Sequence, residues 1–108
     1  MKWIEFTDIN QLNDISQPFI IFKHSTRCPI SGMAKRNVEL EADMIPDNVP
    51  AFFLDLIKYR DLSNQIAERY SVRHESPQLL LISEGRCAYD ASHSDISVSA
   101  VVSAIAGL

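Results

Sequence analysis

Three continuous apolar runs constrain this chain more than any other feature: Phe19-Ile20-Ile21-Phe22-Lys23, Ala51-Phe52-Phe53-Leu54-Asp55-Leu56 and Gln78-Leu79-Leu80-Leu81-Ile82. Each has the length of a strand and lacks the alternation of a half-exposed one, so each reads as a strand buried on both faces. Such strands need covering layers, and the intervening segments supply them. Ile9, Leu12 and Ile15 predict a first helix, running from an N-cap at Thr7 or Asp8, with Gln11 completing a capping box, to about Ser16. Ile30, Met33, Ala34 and Val38, extended by Leu40, Met44 and Ile45, form one face of a second helix, which Pro46-Asp47-Asn48-Val49-Pro50 breaks. Leu62, Ile66 and Tyr70 mark a third, capped near Asp61.

The remaining elements are shorter. Trp3-Ile4-Glu5-Phe6 reads as a first strand with Trp3 in the core. Ser71 to Pro77 is a loop. Glu84-Gly85 turns the chain into an antiparallel strand, Arg86 to Ala91. Ser97 caps a last helix with Val98, Val101, Val102 and Ile105 on one face and Gly107 at its end. The order β-α-β-α-β-α-β-β-α predicts an α/β fold: βαβ units around a parallel core, a closing hairpin that adds an antiparallel strand, and helices on both faces.

The 108 residues suffice for one domain, residues 1–108, with its own core. Ten basic against 14 acidic residues give a formal charge of −4, with no basic block, which argues against a nucleic-acid partner. No apolar run approaches membrane-spanning length. Two cysteines do not make a disulfide scaffold, and Met1-Lys2-Trp3-Ile4-Glu5 carries no signal-peptide pattern, so a cytoplasmic setting is expected. The cysteines and histidines at 24, 28, 74, 87 and 93 show no zinc spacing, and no metal or cofactor is expected.

Chemistry concentrates in Thr26-Arg27-Cys28-Pro29-Ile30-Ser31, between the first apolar run and the second helix. If Pro29 is the first helical residue, Cys28 is the N-cap, and its thiolate can accept hydrogen bonds from the Ile30 and Ser31 N–H groups. The helix dipole, Arg27, Lys23 and His24 all favour S⁻, which predicts a thiol pKa below the free value of about 8.5. A dithiol oxidoreductase carries Cys-x-x-Cys. Here the fourth position is Ser31, which keeps a hydroxyl near the sulfur and cannot resolve a mixed disulfide. The pattern is therefore monothiol: a small-thiol adduct forms on Cys28 and is released to another thiol. The bland alternative is an inert cysteine. Gly32 either leaves room for a thiol near the sulfur or packs against a neighbouring strand. Thr26 and Ser31 are candidates to hydrogen-bond the thiolate or cap the helix.

A cysteine opening the second helix and a proline just before the fourth strand resemble the thioredoxin fold, in which that proline is cis and faces the cysteine. Pro77 in Ser76-Pro77-Gln78 matches it; the alternative is a trans proline starting a strand. Three stretches bring the resemblance closer: Lys23-His24-Ser25-Thr26-Arg27-Cys28-Pro29-Ile30-Ser31, Arg73-His74-Glu75-Ser76-Pro77-Gln78 and Ala91-Ser92-His93-Ser94-Asp95-Ile96. Together they resemble the YtxJ family of thioredoxin-like, monothiol bacilliredoxins. The resemblance implies a thiol–disulfide oxidoreductase of the thiol-stress response that removes bacillithiol, or a similar small thiol, from S-thiolated client proteins. It implies Cys28 as catalytic nucleophile and Pro77 as the cis-proline; Arg27, Pro29, Ser31 and Ser76, beside these two, are expected with Pro77 on the substrate side.

Other residues invite roles. A positive rim of Lys23, Arg27 and Arg73 would suit small-thiol carboxylates. His24 and His93 are candidates for a base or a ligand, although His93 is expected to bond a backbone group. His74 and Glu75 either shape the thiol groove or are satisfied loop residues. Cys87, on the hairpin strand, is expected to be buried and inert; the alternative is dithiol chemistry with Cys28. The rival to catalysis is a thioredoxin-fold redox sensor or adaptor modified at Cys28.

Overall fold

A computed structural model describes residues 2–108. Its five strands are β1 (Ile4–Glu5), β2 (Phe19–His24), β3 (Ala51–Asp55), β4 (Gln78–Ser83) and β5 (Arg86–Ser92), and its α-helices are α1 (Pro29–Leu40), α2 (Arg60–Tyr70) and α3 (Val98–Ala106). The strands form one sheet in the order β1-β3-β2-β4-β5. The three interior strands, β3, β2 and β4, are the predicted apolar runs, and all six β2 residues are buried. Glu84 and Gly85 both have positive φ (52° and 75°), the geometry of a two-residue hairpin turn matched to strand twist.

The sheet is mixed. β1 and β2 flank β3 in parallel, but β4 runs antiparallel to β2, and β5 antiparallel to β4. The parallel core expected from the β-α-β-α order therefore stops at β2. Apolar runs report burial and not direction, and the α2 connection can return the chain in either sense.

The two faces have separate cores. Ile21, Phe52, Leu54, Leu80 and Ile82 pack against Leu62, Ile66 and Tyr70 of α2. Ile20, Phe22, Leu79 and Leu81 pack against Ala34 and Val38 of α1 and Val98 and Val101 of α3. Trp3 stacks on Phe22 with ring centroids 5.7 Å apart, and Phe22 stacks in turn on His24 at 6.0 Å.

Three helix expectations are corrected. The first helix is only a 3₁₀ turn, Ile9–Leu12, although its capping box of Asp8 and Gln11 is present. Asp14 takes a left-handed φ of 67°, and Pro18 follows closely, so no room remains for stable helix nucleation. On α1 the buried stripe is Ser31, Ala34 and Val38, while Ile30, Met33 and Leu40 are exposed; the helix ends at Leu40, before Met44 and Ile45. The α2 N-cap is Tyr59 and not Asp61, and makes no side-chain cap bond. Asp55 instead accepts from the Ile57 and Lys58 N–H groups in the turn leading to it.

Candidate active site

β2 is parallel to β3 and delivers the chain to the sheet end where Cys28 opens α1. The Cys28 N–H donates to the Ser25 carbonyl (3.1 Å), folding the loop back, and the Cys28 carbonyl accepts the first helical bond from Gly32 (3.0 Å). Cys28 is the N-cap and Pro29 follows at the first helical position. The sulfur is half-buried and makes no capping hydrogen bond, so the expected bonds from Ile30 and Ser31 are absent in this thiol geometry.

Ser31 was expected on the substrate side. It lies instead beneath the loop, fully buried. Its Oγ accepts from the Ser25 N–H (3.0 Å) and sits 2.6 Å from His24 Nδ1. The hydroxyl thus ties the end of β2, the cysteine loop and the first turn of α1 together. His24 is buried against Phe22 and Phe53, and burial, aided by the Lys35 charge, moves its pKa down, so its ring is neutral at neutral pH. That geometry makes His24 a structural partner of Ser31. Among the described residues no cluster of three metal-ligating side chains occurs. Thr26 and Arg27 are exposed, as is Pro29.

The Ser76–Pro77 peptide bond is cis, as expected. The β2–β4 register pairs Lys23 with Gln78. β2 ends at His24 and β4 begins at Gln78, so the Cys28 loop and the Ser76–Pro77 loop leave the same end of the sheet. The Pro77 carbonyl accepts from the His93 N–H (3.0 Å), so the third signature stretch braces the second. His93 thus contributes its own backbone group, while its Nε2 lies 4.0 Å from Glu75.

The positive rim does not form as expected. Lys23 is fully buried on the α2 face, and Arg73 lies 3.7 Å from Glu75, leaving Arg27 and a mixed Arg73–Glu75–His93 patch. Sequence reasoning missed Lys23 because lysines are almost never fully buried. Gly32 does not pack against a strand: a Cβ there would meet nothing within 4 Å. Ile30 and Met33, 63% and 61% exposed, add an apolar surface on the helix turn next to the sulfur.

Cys87 lies elsewhere. It pairs with Ile82, which pairs with Phe19 at the start of β2, whereas Cys28 follows the end of β2. Five residues of strand separate those levels by roughly 17 Å, far beyond the ~7 Å Cα limit for a disulfide. The Cys87 thiol donates to the Tyr89 carbonyl (3.3 Å), and burial, with the Asp90 charge, pushes its pKa up to about 11.

A mixed sheet with an N-capping cysteine and a cis-proline loop at the same end of the sheet defines a thioredoxin-fold protein of the thiol oxidoreductase class. Similar solved structures agree. One, described as a candidate oxidoreductase with a thioredoxin fold, is 30% identical, with a TM-score of 0.79 over 94% of this chain and 92% of that one. A thioredoxin variant from Halobacterium salinarum (17% identity, TM-score 0.69, 98% and 89% covered) and a thioredoxin from Nicotiana alata (13%, 0.71, 97% and 90%) share the fold. The sequence profile of the monothiol bacilliredoxin BrxC family matches residues 4–101, a span that contains all three signature stretches, and the chain belongs to that family.

Proposed function

We propose that this protein removes bacillithiol, or a related small thiol, from S-thiolated client proteins by monothiol exchange at Cys28. The Cys28 thiolate attacks the small-thiol sulfur of the client's mixed disulfide. The client leaves as a thiolate, and a disulfide forms between Cys28 and the small thiol. A second small-thiol thiolate then attacks the small-thiol sulfur of that adduct, regenerating Cys28 and releasing the symmetric small-thiol disulfide. Electrons come from the small thiols, so no bound cofactor is required.

One observation carries the reading: Cys28 caps α1 at the surface while the position of a resolving cysteine holds Ser31, buried and hydrogen-bonded. In this reading Arg27, Pro29, Ser76 and Pro77 serve the substrate side of the sulfur, and Ser31 supports the loop from below. The exposed Ile30 and Met33 suit a client protein better than a free small molecule, since apolar surface beside the sulfur needs a partner of similar character. The open space over Gly32 leaves room for the adduct.

The test is turnover. Reduced protein mixed with a bacillithiolated reporter protein and excess bacillithiol is expected to release the reporter repeatedly, and Cys28→Ser to release none. Modification of Cys28 once, with slow recycling, would instead make the protein a sensor.

A further inference from the structure

On the α2 face, β2 and β4 meet in the apolar cross-strand pairs Phe19–Ile82 and Ile21–Leu80; the last pair on that face is Lys23–Gln78. Both of these polar side chains are buried, at 0% and 1% exposure. A buried ammonium costs stability, and an apolar side chain of similar volume would relieve that cost. Both residues instead reach into the loop before Pro77. The Gln78 Nε2 donates to the Arg73 carbonyl (3.0 Å), and its Oε1 accepts from the Glu75 N–H (3.4 Å). The Lys23 Nζ donates to the Ser63 carbonyl on α2 (3.3 Å) and lies 3.3 Å from His74 Nδ1.

The His74 ring is fixed by what surrounds it. Ser63 Oγ, on a fully buried residue, lies 3.2 Å from the same Nδ1. An ammonium has donors only, so Nδ1 must accept, which leaves the ring neutral with its proton on Nε2. The remaining charges around it are Arg60 from α2 and Glu75 from the loop itself. Further along the loop, Ser76 Oγ is buried with no hydrogen-bond partner.

We infer that Lys23 and His74, with Ser63, are positioning residues: they clamp the Ser71–Pro77 loop from behind and so fix the Ser76–Pro77 edge relative to Cys28. The inference rests on the exchange reaction proposed above. It also accounts for the buried lysine, whose cost is retained for the site and not for the core.

The test compares Lys23→Met, His74→Leu and His74→Asn with the parent chain. Three quantities are measured: the denaturant midpoint, hydrogen exchange of the loop amides, and the rate of exchange with a bacillithiolated reporter. Lys23→Met is expected to keep or raise the midpoint, yet lose loop protection and slow exchange roughly tenfold or more, since small misplacements are costly in rate. His74→Asn keeps an acceptor near the place of Nδ1 and is expected to recover most of the rate that His74→Leu loses. Parent-like loop protection in Lys23→Met overturns the clamp, whatever the activity. A lowered midpoint, with rate lost only in proportion to unfolding, also overturns it. If the parent chain shows no exchange while Lys23→Met still loosens the loop, the clamp stands and the exchange reading fails.

Discussion

The two cysteines share one sheet and have opposite surroundings. Cys28 lies where a strand hands over to a helix, on a loop shaped by Ser25 and Ser31, next to exposed apolar residues. Cys87 lies along an edge strand at the other end of the sheet, its thiol turned onto a backbone carbonyl and packed against the core beside Ile82. In the proposed exchange, place in the fold, and not the presence of a thiol, separates the nucleophile from a small hydrophobe.

The largest effect expected to sharpen this contrast is in activity. Cys28→Ser should abolish release of a thiolated reporter in a turnover assay, while Cys87→Ser should leave its rate within about twofold, as for a site with no contact to the chemistry. Loss of activity in Cys87→Ser would break the comparison. The second effect is in labelling. Because the Cys87 pKa is raised to about 11, native-state alkylation followed by mass spectrometry should modify Cys28 at neutral pH and reach Cys87 only as the pH approaches 11.

Stability offers two further tests. Ser31→Ala leaves the Ser25 N–H and His24 without their partner, and should cost about 1–3 kcal/mol in denaturant unfolding. The pH dependence separates Lys23 from Cys87. With a folded pKa of about 8, below its ordinary 10.5, Lys23 binds fewer protons in the folded state between those values, so its contribution to stability rises over that window. Cys87, raised from 9.0 to about 11, binds more protons when folded, so its contribution falls between those values. Any stability advantage of Lys23→Met should accordingly shrink above pH 8. The smallest effect is at Gly32: Gly32→Ala should gain about 0.5–1 kcal/mol from helix propensity, since its Cβ meets open space. A slower exchange rate in that variant would show that the adduct occupies the space.

Local chemistry was legible in the amino-acid sequence. Proline after Cys28 marks a helix start, Glu84-Gly85 a hairpin and Ser97 an N-cap, because each acts through its own backbone neighbours. The buried strands were legible from unbroken apolar runs. Direction and side were not. The antiparallel setting of β4 depends on pairing across the sheet. Of the apolar face Ile30, Met33, Ala34 and Val38, the helix buries Ala34 and Val38, together with Ser31, and exposes Ile30 and Met33. The polarity of Lys23 and Ser31 suggests a surface, substrate-facing place; only the packed structure supplies the partners that allow them inside.

The measurement that tests the central claim most directly is intact mass after mixing reduced protein with a bacillithiol mixed-disulfide substrate. Monothiol exchange predicts one small-thiol adduct, mapped to Cys28 and removed by added free thiol. Loss of two hydrogens with no adduct would mean that Cys28 and Cys87 pair, and would contradict both the monothiol mechanism and the separation of the two cysteines across the sheet.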